Sequence, residues 1–245
     1  MHRGHARLAA AAVLIGCFAL AGCASESYGV DVSGGMPYAA PEDTPAESDE
    51  PSLLVFGDSW TYGMAATTPT GGYAYLAGES LGWDTTVDGE NGSGYLRPGE
   101  LGGVYGTRVL QLDPNLEPDV IVVQGSINDR GSDLDGLSAA AHSVWRALQT
   151  RYPSAELVVL GPAPSVLPVN DSVRKIDTVL SRLANVEEVA YISPLTEQWI
   201  TEDNFANVID TSKKSRNHPS DSGHEYLAER LAVELEAIDM TPDES

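Results

Sequence analysis

The stretch LLVFGDSWTYG, Leu53 to Gly63, sets an apolar, strand-like run directly before Gly57-Asp58-Ser59. A serine at the end of a buried strand is either a helix cap or a nucleophile held at the edge of a sheet. The rest of the chain bears on that choice. SLLVFG (52–57), WDTTVDG (83–89), PDVIVVQG (118–125), AELVVLGPAP (155–164) and VAYISP (189–194) read as strands. GGYAYLAGESLG (71–82) reads as a helix stopped by Gly82. LDGLSAAAHSVWRALQTRY (134–152), VNDSVRKIDTVLSRLANV (169–186) and SDSGHEYLAERLAVELEAI (220–238) read as further helices, with Ser220 or Asp221 capping the last. Strands alternating with helices predict an α/β fold, a parallel sheet covered on both faces. In such sheets ligands sit beyond the carboxyl ends of the strands, where Ser59 and Asn128 both fall.

The bulk numbers exclude several partners. A chain of 245 residues with 42% hydrophobic residues suits one domain with a sizeable core plus extensions. The net charge of -22 argues against nucleic acid and against electrostatic adsorption to anionic lipid. The N-terminus has its own character. Arg3 and Arg7 precede an apolar run, Leu8 to Gly22, that reads as an export signal, 1–22, too short to span a bilayer comfortably. Leu20-Ala21-Gly22-Cys23 resembles the bacterial lipobox, which implies lipidation of Cys23 and a protein exported to the cell surface and anchored in the membrane. The other cysteine, Cys17, lies inside the signal, so a disulfide is not expected. Residues 23–51, rich in Ser, Pro, Gly and acidic side chains, read as a disordered tether reaching roughly 30 Å. Residues 52–240 are then the folded domain and 241–245 a tail.

Four stretches carry the chemistry. GDSW (57–60) alone is weak, because an ordinary turn with Asp58 or Ser59 as cap explains it. ENGSGY (90–95), VIVVQGSINDRG (120–131) and NHPSDSGHEYLAERLA (217–232) follow it in order. Together these blocks resemble the SGNH hydrolase family, the GDSL-type esterases and lipases, over nearly all of 51–237. The resemblance implies a three-layer α/β/α sandwich with a flavodoxin-like parallel sheet. It implies Ser59 as nucleophile, and oxyanion donors from the Ser59 N–H, the Gly92 N–H (Gly94 being the alternative) and the Asn128 side chain. Such chemistry needs these groups because a serine hydroxyl attacks only when a base takes its proton, and the carbonyl it attacks gathers negative charge. The motif Gly78-Glu79-Ser80-Leu81-Gly82 matches another nucleophile pattern but has a helix before it, so Ser80 is read as an exposed helix residue.

The base is less direct. A literal D-x-x-H stands at Asp221–His224, whereas His218-Pro219 fits the loop that the family places before its last helix. His218 is favoured, and Asp221 with His224 is the alternative pair. With His218, the family's aspartate position holds Ser215. Three outcomes stay open: a backbone carbonyl near Ser215 orients the imidazole, Asp210 reaches it across the loop, or catalysis is weak or lost. Ser126 replaces a glycine common in the third block and would narrow the site. Lys213, Lys214 and Arg216 are either a solvated loop or a clamp for an acidic substrate group. Trp60, Tyr62, Tyr73 and Trp83 are either packing or a platform for a sugar or acyl group.

These readings converge on an exported, lipid-anchored monomeric esterase, without metal or cofactor, acting on short acyl or O-acetyl esters of carbohydrates or small lipids. The alternatives are a non-catalytic glycan-binding surface lipoprotein with a decayed cleft, and an O-acyltransferase.

Overall fold

The computed structural model describes residues 50–239, so the export signal, Cys23, nearly all of the tether and the 241–245 tail lie outside the described residues. Five strands form one parallel sheet: β1 (Ser52–Gly57), β2 (Asp84–Gly89), β3 (Val120–Gln124), β4 (Glu156–Leu160) and β5 (Ala190–Ile192). Their order is β2-β1-β3-β4-β5, the flavodoxin-like order, with the chain reversing direction across the sheet at β1. The central strands are apolar throughout because both faces are covered. Leu53 and Val55 of β1 face a cluster with α1 (Tyr73–Leu81) and α6 (Asp221–Asp239). Leu54 and Phe56 face the other cluster, with α2 (Tyr105–Val109), α3 (Leu134–Arg151) and α4 (Asp171–Glu187). Each of these side chains is fully buried. Burial of each stabilises the fold by about 1.5–3 kcal/mol relative to exposure.

Local signals place the helix ends. Gly82 takes the left-handed conformation, φ 71°, that ends α1. Asp133 caps α3 by accepting the Gly136 N–H at 2.7 Å. Ser220, not Asp221, caps α6 by accepting the Gly223 N–H at 3.0 Å. Ser80 lies exposed in the last turn of α1. Three small features have no counterpart in the sequence reading: α2, the one-turn α5 (Phe205–Val208), and an antiparallel ribbon of β6 (Ile209–Asp210) with β7 (His218–Pro219).

Candidate active site

β1 runs into a tight turn that raises Ser59 at the carboxyl edge of the sheet. Asp58 Oδ1 accepts the Trp60 N–H at 2.9 Å, and the Tyr62 and Met64 N–H groups return to the carbonyls of Asp58 and Ser59. Gly57 is required here. A Cβ would stand 2.3 Å from Thr61 Oγ1 and 2.8 Å from Gln124 Oε1.

His218 arrives from the far end of the chain. In the β6–β7 ribbon it pairs with Asp210, and the turn between them passes through Arg216 (φ 53°) and Asn217 (φ 59°). His218 Nε2 lies 2.7 Å from Ser59 Oγ. His218 Nδ1 lies 2.8 Å from the Ser215 carbonyl oxygen. A carbonyl only accepts, so Nδ1 carries the proton and Nε2 offers its lone pair to the Ser59 hydroxyl. Burial pushes the imidazole below its usual range and the Arg216 cation pushes the same way, while hydrogen bonds from the ring to the main chain oppose them.

Asp210 does not touch the imidazole. Its Oδ2 accepts from Ser215 Oγ at 2.5 Å and its Oδ1 from the Ser212 N–H at 2.8 Å. The Ser215 hydrogen bond is the main cause that holds its carboxyl below the ordinary range. Of the three outcomes left open for Ser215, the structure brings its backbone carbonyl to His218.

The expected donors have the following surroundings. The N–H groups of Ser59 and Gly92 have no hydrogen-bond partner among the described residues. Gly92 has φ 75°, and a Cβ there would meet nothing within 4 Å, so the chain at this point borders open space. Asn128 Nδ2 donates to the Ser93 carbonyl at 2.8 Å and stands 3.5 Å from Asp58 Oδ2. The Gly94 N–H is already bonded to the Arg97 carbonyl at 2.8 Å, which removes the alternative glycine. Ser126 does not narrow the site: its buried hydroxyl donates to the Ser93 carbonyl and accepts the Asn128 N–H, each at 3.0 Å. Burial raises the Asp58 carboxyl to about 7. The shift favours the neutral carboxyl, the form that places less negative charge next to the Ser59 turn.

The alternative pair is elsewhere. Asp221 accepts the Thr67 N–H at 2.8 Å and the Thr67 hydroxyl at 3.0 Å. His224 is fully buried, its Nδ1 accepting the Tyr73 N–H and its Nε2 facing the Met64 carbonyl, both at 3.2 Å. The literal D-x-x-H thus clamps the 64–73 segment to α6. Both His224 nitrogens are taken by the main chain, leaving none to serve Ser59. Trp60 and Tyr73 are core residues, Trp83 is half-buried, and Tyr62 is exposed. Lys213 and Lys214 are exposed, and exposed Arg216 stands 3.8 Å from Glu100.

Other residues of the site went unread in the sequence. Asp129 accepts the N–H groups of Tyr95, Leu96 and Arg97 at 2.8–3.0 Å. Gln124 Oε1 accepts from Asp58 N and Thr61 Oγ1. Arg108 lies beneath the Gly92 loop. A buried carboxylate among main-chain donors is the only part of this with a sequence signal, an acidic residue straight after Asn128. Among the described residues no group of three His, Cys, Asp or Glu side chains is placed to hold a metal. A groove of about 690 Å³ is lined in part by Tyr62, Met64, Tyr75 and Asp88, and by none of Ser59, His218, Gly92 and Asn128. One of about 740 Å³ opens at the amino ends of the strands near Ser52, Asp84 and Asp119 and holds none of the paired groups described above.

A family model for GDSL-like lipases/acylhydrolases matches residues 55–226. A GDSL lipase of Mycobacterium tuberculosis is 29% identical over 196 residues, 74% of this chain and 79% of that protein. Among solved structures, a family two carbohydrate esterase from Clostridium thermocellum, in complex with cellohexaose, aligns with a TM-score of 0.63 at 18% identity. It covers 77% of this chain and 64% of its own. A carbohydrate acetylesterase from Sinorhizobium meliloti aligns with a TM-score of 0.60 at 16% identity, over 77% of this chain and all of its own (100%). At such identities the solved structures speak for the fold.

Proposed function

The chain belongs to the GDSL-like lipase/acylhydrolase family and is an ester-hydrolysing serine hydrolase; from that premise we propose that Ser59 and His218 hydrolyse short acyl esters on carbohydrate. The 2.7 Å contact between Ser59 Oγ and His218 Nε2 carries the reading. His218 takes the Ser59 proton as Oγ adds to the ester carbonyl. The oxyanion then receives hydrogen bonds from the Ser59 and Gly92 N–H groups and from Asn128 Nδ2, whose 3.5 Å contact with Asp58 is weak enough to exchange. The imidazolium keeps its Nδ1–H on the Ser215 carbonyl and gives its Nε2 proton to the departing alcohol oxygen. Water, deprotonated by the same nitrogen, attacks the acyl carbon, and the proton then passes from Nε2 to Ser59 Oγ as the acid leaves. With Ser215 supplying the acceptor, the missing aspartate does not leave the histidine unoriented.

Carbohydrate is supported by what the two structural neighbours act on or hold, and by exposed Tyr62, in the turn that follows Ser59, an aromatic face for a sugar ring. The export signal and Cys23 support a membrane-anchored enzyme at the cell surface. The test uses the full chain made in a bacterial host. Wild type should release acetate from an acetylated oligosaccharide and cleave p-nitrophenyl acetate faster than the palmitate ester. Ser59→Ala should do neither, and Cys23→Ala should shed the activity from the membrane. Equal rates for wild type and Ser59→Ala overturn the nucleophile, faster palmitate cleavage overturns the short acyl group, and unchanged membrane retention overturns the anchor.

A further inference from the structure

Among the described residues Arg108 is a buried cation. It sits in α2, 5% exposed, with its guanidinium 4.4 Å from the centroid of the Phe56 ring. All five of its N–H groups face an acceptor. Nη1 donates to the Gly57 carbonyl and to Ser93 Oγ, each at 2.7 Å. Nη2 donates to the Asp88 carbonyl at 2.9 Å and to the Asp88 carboxylate. Nε faces Glu90 Oε2 at 3.3 Å, and the other oxygen of Glu90 accepts the Leu101 N–H at 2.7 Å.

These acceptors are not scattered. Gly57 is the last residue of β1 before the Asp58–Ser59 turn, Asp88 and Glu90 lead into Gly92, and Ser93 follows it. Ser93 also holds the third arm, because its carbonyl accepts Asn128 Nδ2 at 2.8 Å. One guanidinium is thus bonded to the segment that carries Ser59 and to the loop that carries Gly92. Through Ser93 it also reaches the amide of Asn128.

Resting on the proposed function, we infer that Arg108 is a positioning residue for the oxyanion hole, fixing the three donors relative to one another before substrate arrives. Preorganised donors stabilise the transition state because they need not reorganise when charge appears. A lysine cannot reproduce the arrangement, since its single ammonium has no planar fork. It would leave the Gly92 loop and the Asn128 amide free to drift apart while Ser59 and His218 stay paired.

The experiment compares Arg108→Lys and Ser93→Ala with wild type, taking kcat per serine labelled to completion by a fluorophosphonate, so that misfolded protein is not counted. For Arg108→Lys kcat should fall about 10²-fold, the usual cost of losing an oxyanion donor, with KM changed less than about threefold. Ser93→Ala should fall about tenfold, as a looser version of the same defect. The acid limb of the pH–rate profile should stay in place, because His218 sets it. A purely structural role would lower the melting temperature and the labelled fraction but leave kcat per labelled serine intact, and that result overturns the inference. Should Arg108→Lys fail to fold, Ser93→Ala decides alone: undiminished kcat overturns the inference and a loss confined to kcat upholds it. Activity that survives Ser59→Ala would instead overturn the function on which the inference rests.

Discussion

His218 and His224 stand on either side of the start of α6, and burial lowers the pKa of both imidazoles. Their surroundings nevertheless differ in kind. His224 has the carboxylate that a D-x-x-H pattern promises, yet Asp221 binds Thr67 and both ring nitrogens face main chain. His218 lacks that carboxylate, yet one nitrogen faces the main chain and the other faces Ser59. The comparison teaches that a perturbed pKa does not distinguish a base from a packing histidine in this fold. What distinguishes them is whether one nitrogen is left over for a nucleophile.

The largest effect expected from that difference is a split between two substitutions. His218→Ala should lower kcat/KM about 10³-fold with little change in folding stability, because a general base is typically responsible for 10²–10⁴ in rate. His224→Ala should leave kcat per labelled serine within a few-fold. It should cost about 2–4 kcal/mol in urea unfolding, because it opens a cavity and orphans the Tyr73 N–H and the Met64 carbonyl. Comparable kcat losses in both variants would erase the distinction.

A smaller effect sharpens what holds His218. Asp210 is the carboxylate nearest to a third triad member, but it acts on the loop through Ser215 and Ser212 rather than on the ring. Asp210→Asn should therefore cost only about tenfold in kcat/KM, against the roughly 10⁴ that a neutralised, directly bonded triad aspartate costs. The acid limb of the profile should stay in place, since burial, the main-chain bonds and Arg216, not Asp210, set the ring. Arg216 on the same loop and His224 on α6 are the positive or titrating groups that act with the ring, while Lys214 acts on Asp210. A loss near 10⁴ would mean that Asp210 orients the ring directly in the working enzyme.

Which of these arrangements were legible beforehand follows from what a sequence can encode. β1, β3 and β4 are apolar runs because both faces of a parallel sheet are buried, and that pattern is written in residue types. The family resemblance extends this to the sheet order and to the block positions of Ser59, Asn128 and His218. The Ser215 acceptor is a backbone carbonyl, which any residue supplies, so no residue type announces it. The β6–β7 ribbon pairs two residues with two, too few for a periodicity of two to show. Arg108 lies in a five-residue helix after a glycine-rich stretch, and only folding brings Gly57, Asp88 and Ser93 around it. Asp221-x-x-His224 shows the converse. A short motif satisfied in sequence was taken up by packing.

The gentlest test sets His224 against the buried Asp58 through the pH dependence of stability. The folded-state pKa of His224 is lowered, so the unfolded chain binds the extra proton, and this contribution is complete above about pH 6.5 and lost as pH falls below it. The folded-state pKa of Asp58 is raised from 3.8 to about 7, so here the folded chain binds the extra proton. Its contribution is present below the unfolded pKa and lost as pH rises towards 7. Asp129 and Asp177, also raised by burial, lean the same way as Asp58, while His218 leans with His224 and lowered Asp210 leans likewise at more acid pH. Between about pH 5 and 6.5 the two groups therefore oppose each other, and the stability of wild type should change little. Asp58→Asn removes one side of the balance. Its stability should climb with pH in that window more steeply than wild type, by at most about 1.4 kcal/mol per pH unit, one proton's worth. His224→Ala should tilt the curve the other way, on top of its overall loss. Urea unfolding at half-unit steps reads both slopes. Parallel curves for the two variants would mean that neither buried group changes its proton affinity on folding, and the contrast between the histidines would then rest on hydrogen bonding alone.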